Sequence, residues 1–168
     1  DTRPTLPITA WVQYVLDNYA TTAEAVEGLR KEEFRVVPII APTGEPGTVH
    51  LSVSDASGDS AIFEFIEGKL VIHHGREYQV MTNSPSFDQQ LALDAYWRQI
   101  GGEVMLPGTN RAADRFVRAS FYIDAIPKTG DVDTALAEAF SVIRNVSVPL
   151  GISTPNQPNI ASTLWRSV

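Results

Sequence analysis

Residues 49–82 read VHLSVSDASGDSAIFEFIEGKLVIHHGREYQVMT. Val49, Leu51 and Val53 alternate with His50, Ser52 and Ser54, the period-two signature of a half-buried strand. Asp55-Ala56-Ser57-Gly58-Asp59 is turn chemistry, because short polar side chains and glycine satisfy a tight backbone locally. Ala61 to Ile66 and Leu70 to His74 read as strands around a turn at Glu67-Gly68-Lys69, and Tyr78 to Thr82 reads as a fourth. The stretch therefore predicts an antiparallel meander.

Helical spacing flanks the meander on both sides. Trp11, Val12, Val15, Leu16 and Tyr19 recur with helical period, and Thr21 with Glu24 fits a capping box opening a second short helix after a kink near Ala20. Phe34 to Ile40 is a β-branched run that stops at Pro42. Beyond the meander, Ser86 with Gln89 makes another capping box, and Leu93, Trp97 and Ile100 share a face before Gly101-Gly102. Asn110 is placed to cap a helix carrying Phe116, Ser120 and Ile123, and Val132, Leu136, Phe140 and Ile143 define one more. Asn145 to Pro158 reads as loop and Ser162 to Val168 as a strand. Helices, then strands, then helices predict an α+β layered fold rather than alternating βαβ units.

The 168 residues suit one domain, and 43% hydrophobic with 20% charged residues is ordinary globular composition. Thirteen basic against twenty acidic residues give a net charge of −7, which opposes non-specific nucleic-acid binding. No apolar run approaches the roughly 20 residues of a membrane span, so no membrane partner is expected. Cysteine is absent, which excludes disulfides, zinc–thiolate sites and a cysteine nucleophile within these residues. The chain opens at Asp1 without an initiator Met, from which we expect a segment upstream.

Generic catalytic signatures are missing: there is no Gly-rich phosphate loop, no His-Glu-x-x-His and no Gly-x-Ser-x-Gly. His73 and His74 are adjacent in a strand and point to opposite faces, which suits structural roles better than shared metal ligation. His50 reads as solvated or hydrogen-bonded, and Asp55, Asp59 and Glu64 as turn and solvent-face groups with too few converging oxygens for calcium. Two stretches carry more. Asn83 lies in the polar turn of Val80-Met81-Thr82-Asn83-Ser84-Pro85, between a strand and a helix. Its amide can donate to an oxyanion, or it can simply cap the turn. Asp114, Arg115 and Arg118 follow Leu106-Pro107-Gly108-Thr109-Asn110 in the first turns of a helix. Two guanidiniums three residues apart share one face at the positive end of a helix, which asks for a partner, and Asp114 is one candidate.

Together these stretches resemble the choloylglycine hydrolase family of penicillin V acylases and conjugated bile salt hydrolases. The similarity runs through Met81-Thr82-Asn83-Ser84-Pro85 with Phe87-Asp88-x-Gln90-Leu91, then Leu106-Pro107-Gly108 and Asp114-Arg115-Phe116-Val117-Arg118-Ala119. It continues through Ser141-Val142-Ile143-Arg144-Asn145-Val146-Ser147-Val148-Pro149 and Thr163-Leu164-Trp165. Many family members carry Ser in place of Asp114. The short spacing from Asn83 to Arg115 is similar to the Gram-negative branch, which lacks an insertion of the Gram-positive enzymes. The resemblance implies an N-terminal-nucleophile amidohydrolase of four-layer αββα type, acting without a cofactor. Its implied reaction is cleavage of a linear amide by a cysteine thiolate, with the free α-amine as base. Asn83 matches the family's oxyanion donor and Arg115 the arginine beside the nucleophile; Arg118 is read as structural.

The family's nucleophilic Cys, the Arg and Asp just after it, and its second oxyanion residue belong to an N-terminal part that these 168 residues do not match. Residues 1–168 are thus expected to be the central and later part of a single domain, lacking the N-terminal Cys-containing portion and the C-terminal end, stable beside the missing half and leaving apolar sheet faces uncovered without it. The implied partners are a small-molecule amide (a conjugated bile salt, penicillin V or an acyl-homoserine lactone) and further copies of the chain, since homotetramers are common in the family. The implied location is periplasmic or secreted. The alternative is a catalytically inactive relative kept as a ligand-binding or structural module. Trp97 and Trp165 are read as core rather than as substrate-stacking residues.

Overall fold

A computed structural model describes residues 1–40, 44, 46–47, 49–101, 104–152 and 162–168. The chain forms two compact units, Asp1–Phe87 and Asp88–Val168.

In the first unit, β1 (Thr5–Pro7) pairs in parallel with β2 (Arg35–Val37). Between them lie a short 3-10 turn (Ile8–Ala10), α1 (Trp11–Asn18) and α2 (Thr22–Leu29). The predicted break near Ala20 is real, and so is the capping box. Thr21 Oγ1 accepts from the Glu24 amide at 3.2 Å, and the Glu24 carboxylate accepts from the Ala20 amide at 2.8 Å. A second acid completes this helix start: Asp55 Oδ2 accepts from the Thr22 amide at 2.8 Å, tying the β-turn to the helix.

The meander is a three-stranded antiparallel sheet, β3 (Leu51–Ser54), β4 (Ser60–Ile66) and β5 (Lys69–His74), in the order β3-β4-β5. Glu67 and Gly68 have φ of 50° and 78°, so both central residues of the β4–β5 hairpin adopt the positive φ that matches strand twist. Pairing of Leu51 with Phe63 and of Phe63 with Ile72 fixes the register. One face of the sheet, with Leu51, Ala61 and Phe63, packs on Trp11, Val15, Ala25, Val26 and Leu29 to make the core.

Tyr78 to Thr82 is not a fourth strand. After Gly75, whose amide donates to the Ser60 carbonyl at 2.9 Å, the chain turns, with the Tyr78 amide donating to the Gly75 carbonyl. The Tyr78 carbonyl then accepts from Ser60 Oγ at 2.7 Å, so a side chain takes the place of a ladder bond. The expected strand from Phe34 to Ile40 is shortened to β2, and Ile40 forms only an isolated bridge to Pro46.

The second unit holds α3 (Phe87–Ile100), α4 (Ala112–Ala125) and α5 (Val132–Asn145). The buried residues of α3 are Phe87, Gln90 and Asp94, whereas Leu93 and Ile100 of the predicted face are exposed. Arg111, not Asn110, occupies the N-cap of α4 and makes no side-chain cap bond. Asp131 caps α5 by accepting from the Thr134 amide at 2.8 Å. Ser162 to Val168 forms no strand. Its ties are one backbone bond, from the Thr163 amide to the Val148 carbonyl, and side-chain bonds to residues 147–151. Leu164, Trp165 and Val168 are exposed, Trp165 by 78%, so Trp165 is not a core residue. The loop predicted for 145–158 is seen to residue 152, and the rest of it, like Pro42 and Gly102, lies outside the described residues.

Two predictions follow from this packing. A Cβ at Gly28 of α2 would occupy the space of the Tyr19 ring. Gly28→Ala is therefore expected to destabilise the full-length protein by about 1–3 kcal/mol in chemical denaturation, despite the better helix propensity of alanine. Hydrogen bonds from Ser57 and Thr22 hold the Asp55 carboxyl well below the usual carboxylate range. A carboxyl lowered on folding contributes stability above its unfolded value of about 3.9, and loses it as pH falls toward the folded value. Asp55→Asn should flatten that part of the acid-unfolding curve, with its largest loss of stability above about pH 5, where the native carboxylate is charged, and its smallest at low pH, where the native side chain is also neutral.

Candidate active site

Asn83 is exposed at the rim of a groove of about 750 Å³ in the first unit. The loop Met81–Ser86 lines it together with His50, Glu64 and Ile66. The loop runs directly into α3 at Phe87, and its Ser84–Pro85 peptide is cis.

Glu64 departs most from its sequence reading. It was expected on a solvent face, yet it is only 5% exposed. β4 is buried on both faces from Ser60 to Glu64, so strict polar alternation does not apply there. One carboxylate oxygen accepts from the Phe87 amide at 2.9 Å, a buried bond. The other accepts from His50 Nδ1 at 3.2 Å. His50 is thus hydrogen-bonded, one of the two roles its position allowed. Phe87 is itself 1% exposed and packs its ring on His73 and Tyr78, with centroids 4.8 and 5.5 Å away. The residue that follows the Asn83 loop is therefore held by its amide and by its ring.

Arg115 and Arg118 belong to the second unit, as does the loop before α4. Arg118 is 8% exposed. Its Nη1 donates to the carbonyls of Pro107 at 2.7 Å and Thr109 at 3.0 Å, and its Nε to Asn145 Oδ1 at 3.2 Å. These contacts make it a structural clamp, as expected. Asp114 is not its partner: that carboxylate accepts from the Thr109 hydroxyl at 2.5 Å and the Thr109 amide at 3.2 Å. Arg115 is half-buried, and its Nε donates to the Asn110 carbonyl at 3.2 Å. Burial first, and the charge of Arg118 second, push its pKa down, though a guanidinium stays charged at any working pH. Trp97 is half-buried beside a separate cavity of about 390 Å³, where Arg98 bridges Asp94 at 2.6 Å and Asp124 at 2.8 Å.

The structure thus gathers Asn83, His50 and Glu64 around one groove, and places Arg115 and Arg118 together at the start of α4. Among the described residues, no group of three or more His, Cys, Asp or Glu is arranged to hold a metal ion. No helix among them is long and apolar enough to cross a membrane.

A model of linear amide C–N hydrolases of the choloylglycine hydrolase family matches residues 2–168. The chain is 58% identical over 179 residues to a penicillin V acylase of Pectobacterium atrosepticum, covering 99% of this chain and 48% of that protein. It is 28% identical to a bile salt hydrolase/transferase of Clostridium perfringens, over 89% of this chain and 51% of that protein. Among solved structures, penicillin V acylase from Agrobacterium tumefaciens superposes with a TM-score of 0.86 at 67% identity, covering 96% of this chain and 49% of the other. A conjugated bile acid hydrolase from Clostridium perfringens superposes at 0.73 and 26% identity, covering 94% and 54%. The fold is therefore the α+β type of these N-terminal-nucleophile hydrolases, over part of its length. The chain belongs to the choloylglycine hydrolase family of linear amide C–N hydrolases. It spans about half the length of the relatives it matches.

The Arg118 clamp gives a test independent of chemistry. Arg118→Met leaves the buried carbonyl of Pro107 and the part-buried carbonyl of Thr109 without their donor, and should cost about 1–3 kcal/mol in urea denaturation of the full-length protein. Arg118→Lys should recover part of that loss, because an ammonium can reach one of the acceptors but cannot reproduce the fork.

Proposed function

We propose that the protein carrying this chain hydrolyses a linear amide bearing a bulky apolar acyl group, with penicillin V as the best-supported substrate. The observation that carries this is the identity of 58% and 67% to two penicillin V acylases, against 28% and 26% to bile salt hydrolases. Conjugated bile salts and acyl-homoserine lactones are the further members of the same substrate class.

The reaction uses a cysteine thiolate outside these 168 residues. The thiolate attacks the amide carbonyl, and the carbonyl π electrons move onto oxygen. Collapse of that oxyanion breaks the C–N bond as the amine leaves with a proton, giving a thioester. Water then attacks the thioester carbonyl, the C–S bond breaks, and the acyl group leaves as the carboxylic acid while the thiol is restored. Asn83 donates its side-chain amide to the oxyanion from the rim of the groove, where it is exposed enough to meet a substrate. Arg115 supplies a fixed positive charge that favours thiolate over thiol. The remainder of the domain supplies the nucleophile. We further propose that the protein works as a homo-oligomer in the periplasm or outside the cell.

The test is turnover of penicillin V by the full-length protein and its variants. Asn83→Ala should lower kcat by about 10²–10³ with a small change in KM, the mark of a contact made only in the transition state. Arg115→Gln should raise the apparent pKa of the nucleophile, shifting the acid limb of kcat/KM to higher pH. An Asn83→Ala variant with unchanged kcat would sink the assignment.

A further inference from the structure

Two acceptor bonds of a single buried carboxylate hold the far end of the Asn83 loop. Glu64 sits on the central strand at 5% exposure, with one oxygen on the Phe87 amide and the other on His50 Nδ1. Phe87 is four residues after Asn83, and its ring is locked against His73 and Tyr78. His50 and Glu64 line the same groove as Met81–Ser86. The loop therefore has a hydrogen-bonded finish on β4.

We infer that Glu64, oriented by His50, is a positioning residue that fixes where the Asn83 side-chain amide points. This rests on the reading of Asn83 as the oxyanion donor. A donor helps only when it meets the oxygen in the tetrahedral geometry, so a displacement of about 1 Å can cost on the order of 10²-fold in rate. A carboxylate on a rigid strand is well suited to prevent that displacement. Charge strengthens the bond to the Phe87 amide, and burial denies that amide a competing water. His50 takes the second oxygen, so the carboxylate cannot rotate without losing both bonds.

The experiment is a double-mutant cycle in the full-length protein with penicillin V as substrate. Glu64→Ala should lower kcat by about tenfold to a hundredfold and move KM by less than about threefold. Glu64→Gln keeps an oxygen for the Phe87 amide and should recover most of that rate. In the Asn83→Ala background, where no donor remains to be aimed, Glu64→Ala should cost no more than about twofold further. If Glu64→Ala does not fold, as judged by thermal melting, Glu64→Met fills the same volume without an acceptor and takes its place in the cycle. Full loss of rate in both backgrounds, or no loss in either, overturns the positioning role. Unchanged kcat in Asn83→Ala alone overturns the oxyanion assignment instead, and the two failures are thereby told apart.

Discussion

A carboxylate in the middle of an apolar strand constrains everything packed around it. Removing an ion of this kind from water costs several kcal/mol, and only good partners for its oxygens offset that cost. Glu64 finds a backbone amide on one side and an imidazole on the other. The first partner holds Phe87 on β4, and the second commits the residue just before β3 to face the same groove. The opposite face is apolar where it meets the helices: Leu51, Ala61 and Phe63 close on α1 and α2. The sheet thus divides its labour, with one face supplying burial and the other carrying the polar contacts from which a site can be built.

The second unit follows the same logic with the opposite charge. Arg118 reaches from the rigid body of α4 to two carbonyls of the preceding loop and to Asn145 near the end of α5. All three acceptors are neutral, so the charge of Arg118 is not cancelled where it sits. Its effect is felt by Arg115, whose pKa it helps to lower. Each loop beside a candidate catalytic residue is therefore pinned by a buried ionic side chain on a regular element. This arrangement gives a more exact site than loop residues holding one another would.

Local chemistry made most of the framework legible in the sequence. Thr21 with Glu24 announces a helix start because its bonds span only a few residues, and Glu67-Gly68 announces a hairpin because both positions need positive φ. Asn83 and Arg115 were singled out by motifs that keep the same residues together along the chain. What failed needed partners far away in sequence. Glu64 was misread because alternation marks a face as wet only when nothing covers it, and Phe87 lies 23 residues further on. Asp114 was offered as a partner for arginine, but a hydroxyl and an amide five residues back reach it first. Tyr78 to Thr82 carries strand composition without a strand, because the Ser60 hydroxyl takes the carbonyl a neighbouring strand would use.

One signal for Glu64 was nevertheless present. Phe63-Glu64-Phe65 puts an acid between two aromatics in the run Ala61 to Ile66, which is otherwise continuously apolar, the composition of a strand covered on both faces. Such an acid must find donors inside the protein or lose its charge. The register then limits the choice. Leu51 pairs with Phe63, so His50 stands across from Glu64, and the one-residue offset that would separate them would also turn Phe63 out of the core. The pairing that buries the aromatic core is therefore the same pairing that supplies the carboxylate with its histidine, and packing and polar satisfaction in this unit are a single condition.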